Sequence, residues 1–197
     1  MSAQPAVFLD RDGTLIHDVG YLSRLEDVQW FPFAIEAIRL LNRAGFLVCI
    51  TTNQGGIGLG FYSGDLVERV HAGMCADVEA SGGRIDALFF CPHHPLAVIE
   101  ALRIDCDCRK PGPGMIHQAM ARFEIDLARS FVVGDKMADI GLATSAGARG
   151  ILVKTGYGPA QIVRHGGVPP GAAFVAETVF EAAGWILAEA GFPKELA

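Results

Sequence analysis

Residues 7–15 read Val7-Phe8-Leu9-Asp10-Arg11-Asp12-Gly13-Thr14-Leu15. A short apolar run that leads directly into charge is typical of a buried strand whose carboxyl end opens onto a ligand site. Asp10 and Asp12 flank a single residue, so in extended backbone both carboxylates point to the same side. A bound magnesium ion would relieve their repulsion and leave one carboxylate oxygen free to attack phosphorus. Taken alone, the stretch also fits an ordinary solvated strand end.

Composition places the chain among globular proteins. It has 197 residues, 51% of them hydrophobic and 19% charged, with a net charge of -6. This size suits one domain over residues 1–197, and the acidic balance argues against broad nucleic-acid binding. Residues 1–9 lack the pattern of a signal peptide, and no apolar run reaches the length of a membrane span. We therefore expect a cytoplasmic monomer that binds neither nucleic acid nor a membrane.

Apolar runs and helical spacings alternate along the chain. Strands are predicted at residues 7–9, 46–52, 85–90, 131–135, 150–153 and 174–175, and helices at 33–44, 64–80, 116–123, 138–146 and 177–190. Residues 91–114 and 156–173, rich in glycine and proline, are predicted to be loops. This alternation implies an α/β fold, a doubly wound parallel sheet with helices on both faces. No sizeable insertion separates the first three strands, so we expect no large cap domain.

Reactive side chains follow three of the predicted strands. Asp10 and Asp12 follow the first strand, Thr52 and Asn53 end the second, and Asp135 ends the fourth. Because the carboxyl ends of parallel strands share one edge of the sheet, these side chains are expected to converge. A nearby cation comes from Lys110, in the loop before Pro111.

These residues resemble the four ordered motifs of haloacid-dehalogenase-like phosphatases. The motifs are Asp10-Arg11-Asp12-Gly13-Thr14, Thr52-Asn53, Lys110 and Gly134-Asp135-Lys136-Met137-Ala138-Asp139. More narrowly, Cys91-Pro92-His93-His94-Pro95 with Cys106-Asp107-Cys108-Arg109-Lys110-Pro111 is similar to the loop of D-glycero-D-manno-heptose 1,7-bisphosphate phosphatases. Histidinol-phosphate phosphatases share this loop. The resemblance covers about residues 6–157 and implies a Rossmann-like sheet and a magnesium-dependent hydrolase of sugar phosphates.

The resemblance also implies roles that the chemistry of the residues supports. Asp10 would be the nucleophile that forms an aspartyl-phosphate, and Asp12 would be the general acid and base. Magnesium would be held by the carboxylates of Asp10 and Asp135 and by the carbonyl of Asp12. Thr52 and Lys110 would contact the transferring phosphoryl group.

Further residues are assigned around this centre. Asn53 and Arg109 are expected to contact phosphate or substrate, and a guanidinium suits the second phosphate of a bisphosphate. Asp18 and Tyr21 in the first loop are expected to line the site. Two residues of the last motif are expected to support the site, Lys136 and Asp139, the latter by orienting Lys110 or the metal shell.

Three cysteines and a histidine form a candidate zinc site. Cys91, His93, Cys106 and Cys108 supply the three thiolates and one imidazole of a tetrahedral structural site. Zinc would fix the loop that carries Arg109 and Lys110. His94 is the competing imidazole; motif position favours His93. Cys49 and Cys75 are predicted to be core residues.

The leading interpretation is therefore a phosphatase that removes the 7-phosphate of D-glycero-D-manno-heptose 1,7-bisphosphate, within heptose metabolism. The alternatives are a histidinol-phosphate phosphatase, a polynucleotide 3′-phosphatase and, from another class, a zinc-stabilised phosphate-binding module without turnover. The acidic charge disfavours the polynucleotide substrate, and a nucleophile would be of no use to a module that only binds.

Overall fold

The computed structural model describes residues 3–192. Six strands form the sheet: β1 (Ala6–Leu9), β2 (Leu47–Asn53), β3 (Ala87–Cys91), β4 (Phe131–Gly134), β5 (Arg149–Val153) and β6 (Ala172–Ala176). All neighbouring strands are parallel, in the order β3-β2-β1-β4-β5-β6. Six helices accompany them: α1 (Ala34–Arg43), α2 (Gly64–Ala80), α3 (Gly114–Met120), α4 (Met137–Ala146), α5 (Gly158–His165) and α6 (Val179–Glu189).

The sheet is buried on both faces, as the continuous apolar runs of its strands predict. Val7 and Leu9 face one core, with buried residues of α1, α2 and α6, while Phe8 faces a second core with residues of α3 and α4. Because successive side chains of a strand point to opposite faces, the strands contribute to the cores under both helical layers. The predicted doubly wound α/β fold is confirmed.

The register of the central strands positions the site. Leu9 of β1 lies opposite Ile50 of β2 and Val133 of β4. The residues that follow β1 and β4 therefore leave the sheet beside the last residues of β2. β1 lies between β2 and β4, where the strand order reverses direction, which is where open α/β sheets form their ligand crevice.

Most predicted elements are confirmed, and three predictions need correction. The 156–173 segment is not all loop, because α5 lies within it. Pro159 suits the first turn of a helix, and Gly166 ends the helix in the left-handed region with φ 68°, so these residues delimit a helix. The third strand is Ala87–Cys91, so it begins two residues later and ends one residue later than the predicted 85–90. Phe123 packs against the second core from beyond the end of α3, not from the helix itself.

The long connections contain little regular structure. The segment between β1 and α1 holds a 3-10 turn at Leu25–Asp27, and the one between β3 and α3 holds another at Glu100–Leu102. Within residues 3–192 no large cap domain covers the sheet edge, as predicted. None of the helices in that range is long and apolar enough to cross a membrane.

Candidate active site

The predicted side chains converge at the carboxyl edge of the sheet, around a cavity of about 160 Å³. The predicted site residues that line it are Asp10, Asp12, Asp18, Tyr21, Thr52, Asn53, Arg109, Lys110, Lys136 and Asp139. Asp135 is fully buried and does not line the cavity. Residues more than 100 positions apart in sequence are thus brought together by the parallel topology.

Lys110 lies at the centre of a buried charge cluster. Its Nζ donates to Asp10 Oδ1 at 2.6 Å, to Asp139 Oδ1 at 2.6 Å and to the carbonyl oxygen of Thr51 at 2.9 Å. Burial opposes the charge on Lys110, but the two carboxylates outweigh it and raise the pKa of Lys110 above its ordinary value. The sequence predicts that Asp139 orients Lys110 or the metal shell, and in the structure its carboxylate contacts Lys110.

The strand that ends in Asn53 fixes the backbone of Lys110. Asn53 Oδ1 accepts a hydrogen bond from the Lys110 amide at 3.0 Å, and Asn53 Nδ2 donates to the Lys110 carbonyl at 3.2 Å. The side-chain amide of Asn53 therefore holds the backbone of the loop that carries Lys110, although Asn53 also lines the cavity. A strand end and a distant loop are joined by this pair of bonds.

Three carboxylates, those of Asp10, Asp135 and Asp139, have oxygens within 4.8 Å of one another. Burial raises the pKa of Asp10 to about 7; Lys110 lowers it, and the other two carboxylates raise it. Burial likewise raises the pKa of Asp135 to about 6, against the effect of Lys136. Lys110 forms ion pairs with Asp10 and Asp139 but not with Asp135, and buried carboxylate charge that is only partly compensated is costly, so the site favours a further cation.

Asp135 carries the clearest sign of an incomplete site. Its Oδ2 accepts a hydrogen bond from the Tyr157 amide at 2.8 Å, while its buried Oδ1 receives no hydrogen bond. An oxygen-only donor set with an unsatisfied buried oxygen fits the preference of magnesium for carboxylate ligands. The residues present therefore fit the predicted metal.

Glycines make room for these carboxylates. Gly13 has φ 88° and Gly156 has φ 53°, and a Cβ at either position would overlap Asp135 Oδ2. A Cβ at Gly134 would overlap the Asp139 carboxyl group. The quoted motifs include Gly13 and Gly134 but not Gly156, and the contacts of these glycines with Asp135 and Asp139 cannot be predicted from composition or spacing.

The carboxylate of Asp12 is surrounded by donors. Arg11 binds it through Nε and Nη2, Gln54 Nε2 donates to its Oδ2 at 2.8 Å, and Thr52 Oγ1 approaches the same oxygen at 3.4 Å. The sequence predicts roles for Asp12 and Thr52, whereas the contacts of Arg11 and Gln54 with Asp12 emerge only from the structure. The signal that could have found Arg11 is a charged residue that alternates with two aspartates where the strand leaves a buried sheet.

The first loop reaches the site through Asp18. Its Oδ2 accepts a hydrogen bond from Lys136 Nζ at 3.1 Å, and the same Nζ lies 3.6 Å from Asp135 Oδ1 and 4.7 Å from the centre of the Tyr157 ring. Burial opposes the charge on Lys136, and the surrounding carboxylates raise its pKa above the ordinary value. Tyr21 is half exposed at the mouth, with its ring centre 4.3 Å from that of Phe61.

The four predicted zinc ligands form one cluster. His93 Nδ1 lies 3.2 Å from Cys108 Sγ and 3.6 Å from Cys91 Sγ, and Cys106 Sγ lies 3.4 Å and 3.6 Å from those two sulfurs. A tetrahedron with Zn–S bonds of about 2.3 Å has edges of about 3.8 Å, so the cluster has nearly the required size. The Cys₃His set is compatible with zinc.

The neighbouring histidine is directed elsewhere. His94 Nδ1 accepts a hydrogen bond from the Leu96 amide at 3.1 Å, and its ring lines the active-site cavity. His93 supplies the imidazole of the cluster, and its carbonyl oxygen accepts a hydrogen bond from Arg109 Nη1 at 2.9 Å. The cluster and the cavity are thus connected through Arg109.

Comparisons with known proteins agree with this geometry. The model of the HAD-hydrolase-like family matches residues 107–182. The D-glycero-beta-D-manno-heptose-1,7-bisphosphate 7-phosphatase of Rhodopseudomonas palustris is 43% identical over 147 residues, which cover 75% of this chain and 82% of the relative. The corresponding D-glycero-D-manno-heptose enzyme of Thermosynechococcus vestitus is 40% identical over 190 residues, covering 93% of this chain and 95% of the relative.

A solved structure extends the likeness to three dimensions. The crystal structure of D,D-heptose 1,7-bisphosphate phosphatase from B. bronchiseptica, complexed with magnesium and phosphate, superposes with a TM-score of 0.83 at 33% identity. The match covers 94% of this chain and 99% of that chain.

Proposed function

Because the chain belongs to the heptose 1,7-bisphosphate phosphatase family of haloacid-dehalogenase-like hydrolases, we propose that it hydrolyses the 7-phosphate of D-glycero-D-manno-heptose 1,7-bisphosphate. We propose further that residues 1–197 act as one phosphatase domain. The observation that carries the proposal is the buried cluster in which Asp10, at the end of the central strand, lies 2.6 Å from Lys110. A nucleophilic carboxylate beside a fixed cation at the mouth of a polar cavity suits phosphoryl transfer.

Asp10 attacks phosphorus and forms the aspartyl-phosphate as the bond to the sugar oxygen breaks. The attack requires the ionised carboxylate, and Lys110 favours that form against the effect of burial. Lys110 is itself held by Asp139 and by the Thr51 carbonyl, so its charge stays in place through the reaction. Thr52 offers a hydroxyl to a phosphoryl oxygen from the neighbouring strand end.

Asp12 donates a proton in the first half-reaction and accepts one in the second. It gives a proton to the leaving sugar oxygen in the first step, which leaves Asp12 as a carboxylate. In the second step that carboxylate takes a proton from the water that attacks the aspartyl-phosphate. Inorganic phosphate leaves, Asp10 is regenerated and Asp12 is again protonated, so the cycle is balanced.

Magnesium would be held by the carboxylates of Asp10 and Asp135 and by the Asp12 carbonyl. Bound there, it supplies positive charge against the phosphate oxygens and the carboxylates that face them. The unsatisfied Oδ1 of Asp135 supports this assignment. Lys136 and Asp18 support the same side of the site through their mutual hydrogen bond.

Zinc held by Cys91, His93, Cys106 and Cys108 would have a structural role, since the protein fills all four positions. The last ligand directly precedes Arg109 and Lys110 in sequence, so the cluster fixes the loop from which both cations extend. Arg109 is the residue that we assign to the second phosphate of the substrate, because a guanidinium can bind phosphate through two parallel hydrogen bonds. Tyr21 and Asn53 complete the lining.

The test is phosphate release with magnesium from both anomers of heptose 1,7-bisphosphate, fructose 1,6-bisphosphate, histidinol phosphate and a 3′-phosphorylated oligonucleotide. We expect the β-anomer of the heptose to be preferred, as the name of the Rhodopseudomonas relative specifies that anomer. Preference for histidinol phosphate would support the proposed phosphatase mechanism and contradict the proposed substrate.

Asp10→Asn is the matched control for that test. It is expected to abolish phosphate release while the protein stays folded by circular dichroism, because an amide cannot form the phospho-intermediate. Release near the wild-type rate would contradict the nucleophile assignment. If the wild-type protein released no phosphate from any of these substrates, the result would favour a phosphate-binding module.

A further inference from the structure

The Asp12 carboxylate is held on one side by a buried guanidinium. Arg11 is 1% exposed, and its Nη2 lies 3.0 Å from Asp12 Oδ1 and 2.9 Å from Oδ2, while its Nε lies 3.1 Å from Oδ2. On its far side Arg11 Nη1 lies 3.4 Å from His71 Nε2. Burial and the Arg11 charge lower the pKa of His71 to about 3, so the imidazole is neutral and can accept from Arg11. A planar fork in such a setting fixes the orientation of the carboxylate.

A buried amide holds the other side. Gln54 is 2% exposed, and its Nε2 donates to Asp12 Oδ2 and to Thr52 Oγ1, both at 2.8 Å. Because an ionised carboxylate only accepts hydrogen bonds, the amide must present its nitrogen to Asp12. Its oxygen Oε1 then faces away from Asp12 and needs a donor of its own.

Tyr62 provides that donor. Its hydroxyl donates to Gln54 Oε1 at 2.8 Å, which sets the amide in the orientation that Asp12 requires. The Tyr62 ring lies directly on Gly56, where a Cβ would overlap it. Burial raises the pKa of the Tyr62 hydroxyl to about 12, so it keeps the proton that it donates. Gly56, Tyr62, Gln54 and Asp12 thus form a continuous chain of contacts.

The distribution of these bonds on Asp12 is uneven. Oδ2 receives the contacts from Arg11, Gln54 and Thr52, whereas within residues 3–192 Oδ1 accepts a hydrogen bond from Arg11 alone. Oδ1 is therefore the less engaged of the two oxygens. The donors around Oδ2 stabilise the carboxylate that remains after Asp12 has given away its proton.

We propose that Arg11 and the Gln54–Tyr62 pair are positioning residues that hold the Asp12 carboxylate for proton transfer to the leaving oxygen. This inference rests on the proposed function, because it assigns Asp12 the role of general acid. It adds to that function two buried polar side chains and a tyrosine hydroxyl that act on the reaction through Asp12, with Gln54 also bonded to Thr52.

The experiment compares two leaving groups. A sugar alkoxide must be protonated as it leaves, whereas p-nitrophenolate is stable without a proton, so only the sugar reaction depends strongly on a placed acid. Gln54→Leu is expected to lower kcat on heptose bisphosphate roughly 10- to 100-fold, a part of the roughly 10²- to 10⁴-fold that a placed acid supplies, and on p-nitrophenyl phosphate by less than about 3-fold. Tyr62→Phe, which keeps the ring and removes only the hydroxyl, is expected to show a smaller loss, about 3- to 10-fold, with the same selectivity.

Ser130→Ala is the matched control for loss of a buried hydroxyl. Ser130 Oγ accepts from the Ala6 amide at 2.9 Å and donates to the Asp126 carbonyl at 2.6 Å, at the amino end of the sheet. This variant is expected to lose stability and to keep the wild-type ratio of the two activities. The Tyr62 variant should change the ratio even if its melting temperature falls by the same amount.

Equal losses on both substrates in the Gln54 and Tyr62 variants would overturn the inference, because a purely structural role affects both reactions alike. The proposed function is judged separately, on the wild-type protein alone. If the wild type does not use the heptose, an alkyl phosphomonoester that it does hydrolyse replaces it in the comparison. The selectivity of the variants then supports or overturns the positioning role in the same way.

Discussion

Replacing Lys110 by methionine is expected to lower the free energy of unfolding by about 3–5 kcal/mol, the cost of removing one partner of a buried ion pair. The side chain of Lys110 is 3% exposed and those of Asp10 and Asp139 are 6% and 1% exposed, so water cannot compensate the two carboxylates. Methionine keeps most of the volume, so a cavity contributes little to the loss. The structure thus predicts an electrostatic cost.

The assay is thermal and denaturant unfolding in magnesium-free buffer, without a chelator that would also remove zinc. For a chain of this size the predicted loss corresponds to a melting temperature lower by roughly 6–20 °C. Without Lys110 the pKa of Asp10 should rise further above its ordinary value, and a raised folded-state pKa destabilises the fold as pH increases through it. The deficit should therefore be larger at about pH 8 than at about pH 5.5.

The matched variant is Lys110→Met combined with Asp139→Asn. This pair removes one positive and one negative charge from the cluster, and we expect it to regain a large part of the stability that Lys110→Met loses while remaining inactive. A Lys110→Met protein as stable as the wild type, or a double variant less stable than the single one, would refute the view that Lys110 compensates both carboxylates.

Two further predictions test the zinc-binding loop and the close packing of Gly13 against Asp135. Cys106→Ala should release zinc, measured by elemental analysis, and make residues 92–113 more sensitive to limited proteolysis; unchanged zinc content would contradict the assignment. Gly13→Ala should cost about 2–5 kcal/mol, from left-handed strain of about 1–2 kcal/mol and overlap with Asp135 of about 1–3 kcal/mol. Gly20→Ala, at φ 81° with open space around it, should cost the strain alone, and equal losses at the two glycines would refute the overlap.

The elements and the catalytic aspartates could be predicted because each depends on local pattern. Apolar runs of four to seven residues mark the strands, and the polar residues that directly follow β1 and β4 reach the same edge in any parallel sheet. Helix α5 could not be predicted because its segment is rich in glycine and proline, which is typical of a loop. Pro159 and Gly166 are nevertheless compatible with the two ends of a helix.

Contacts between individual polar side chains could not be predicted from the sequence. Gln54 and Tyr62 belong to a glycine-rich loop without periodicity, and their hydrogen bond to one another depends on how that loop turns. The choice between His93 and His94 is of the same kind, because the two are adjacent in sequence and only the backbone direction decides which ring faces the cysteines. Asn53 lines the cavity where the sequence predicts contact with substrate, but its hydrogen bonds to the Lys110 backbone could not be predicted.

The most direct test of the central claim follows the hydrolysis of β-heptose 1,7-bisphosphate by ³¹P NMR in the presence of magnesium. We expect the signal of the 7-phosphate ester to be replaced by one equivalent of inorganic phosphate, while the signal of the 1-phosphate remains. Loss of the 1-phosphate first, or no hydrolysis by the folded and metal-loaded protein, would contradict the proposed function.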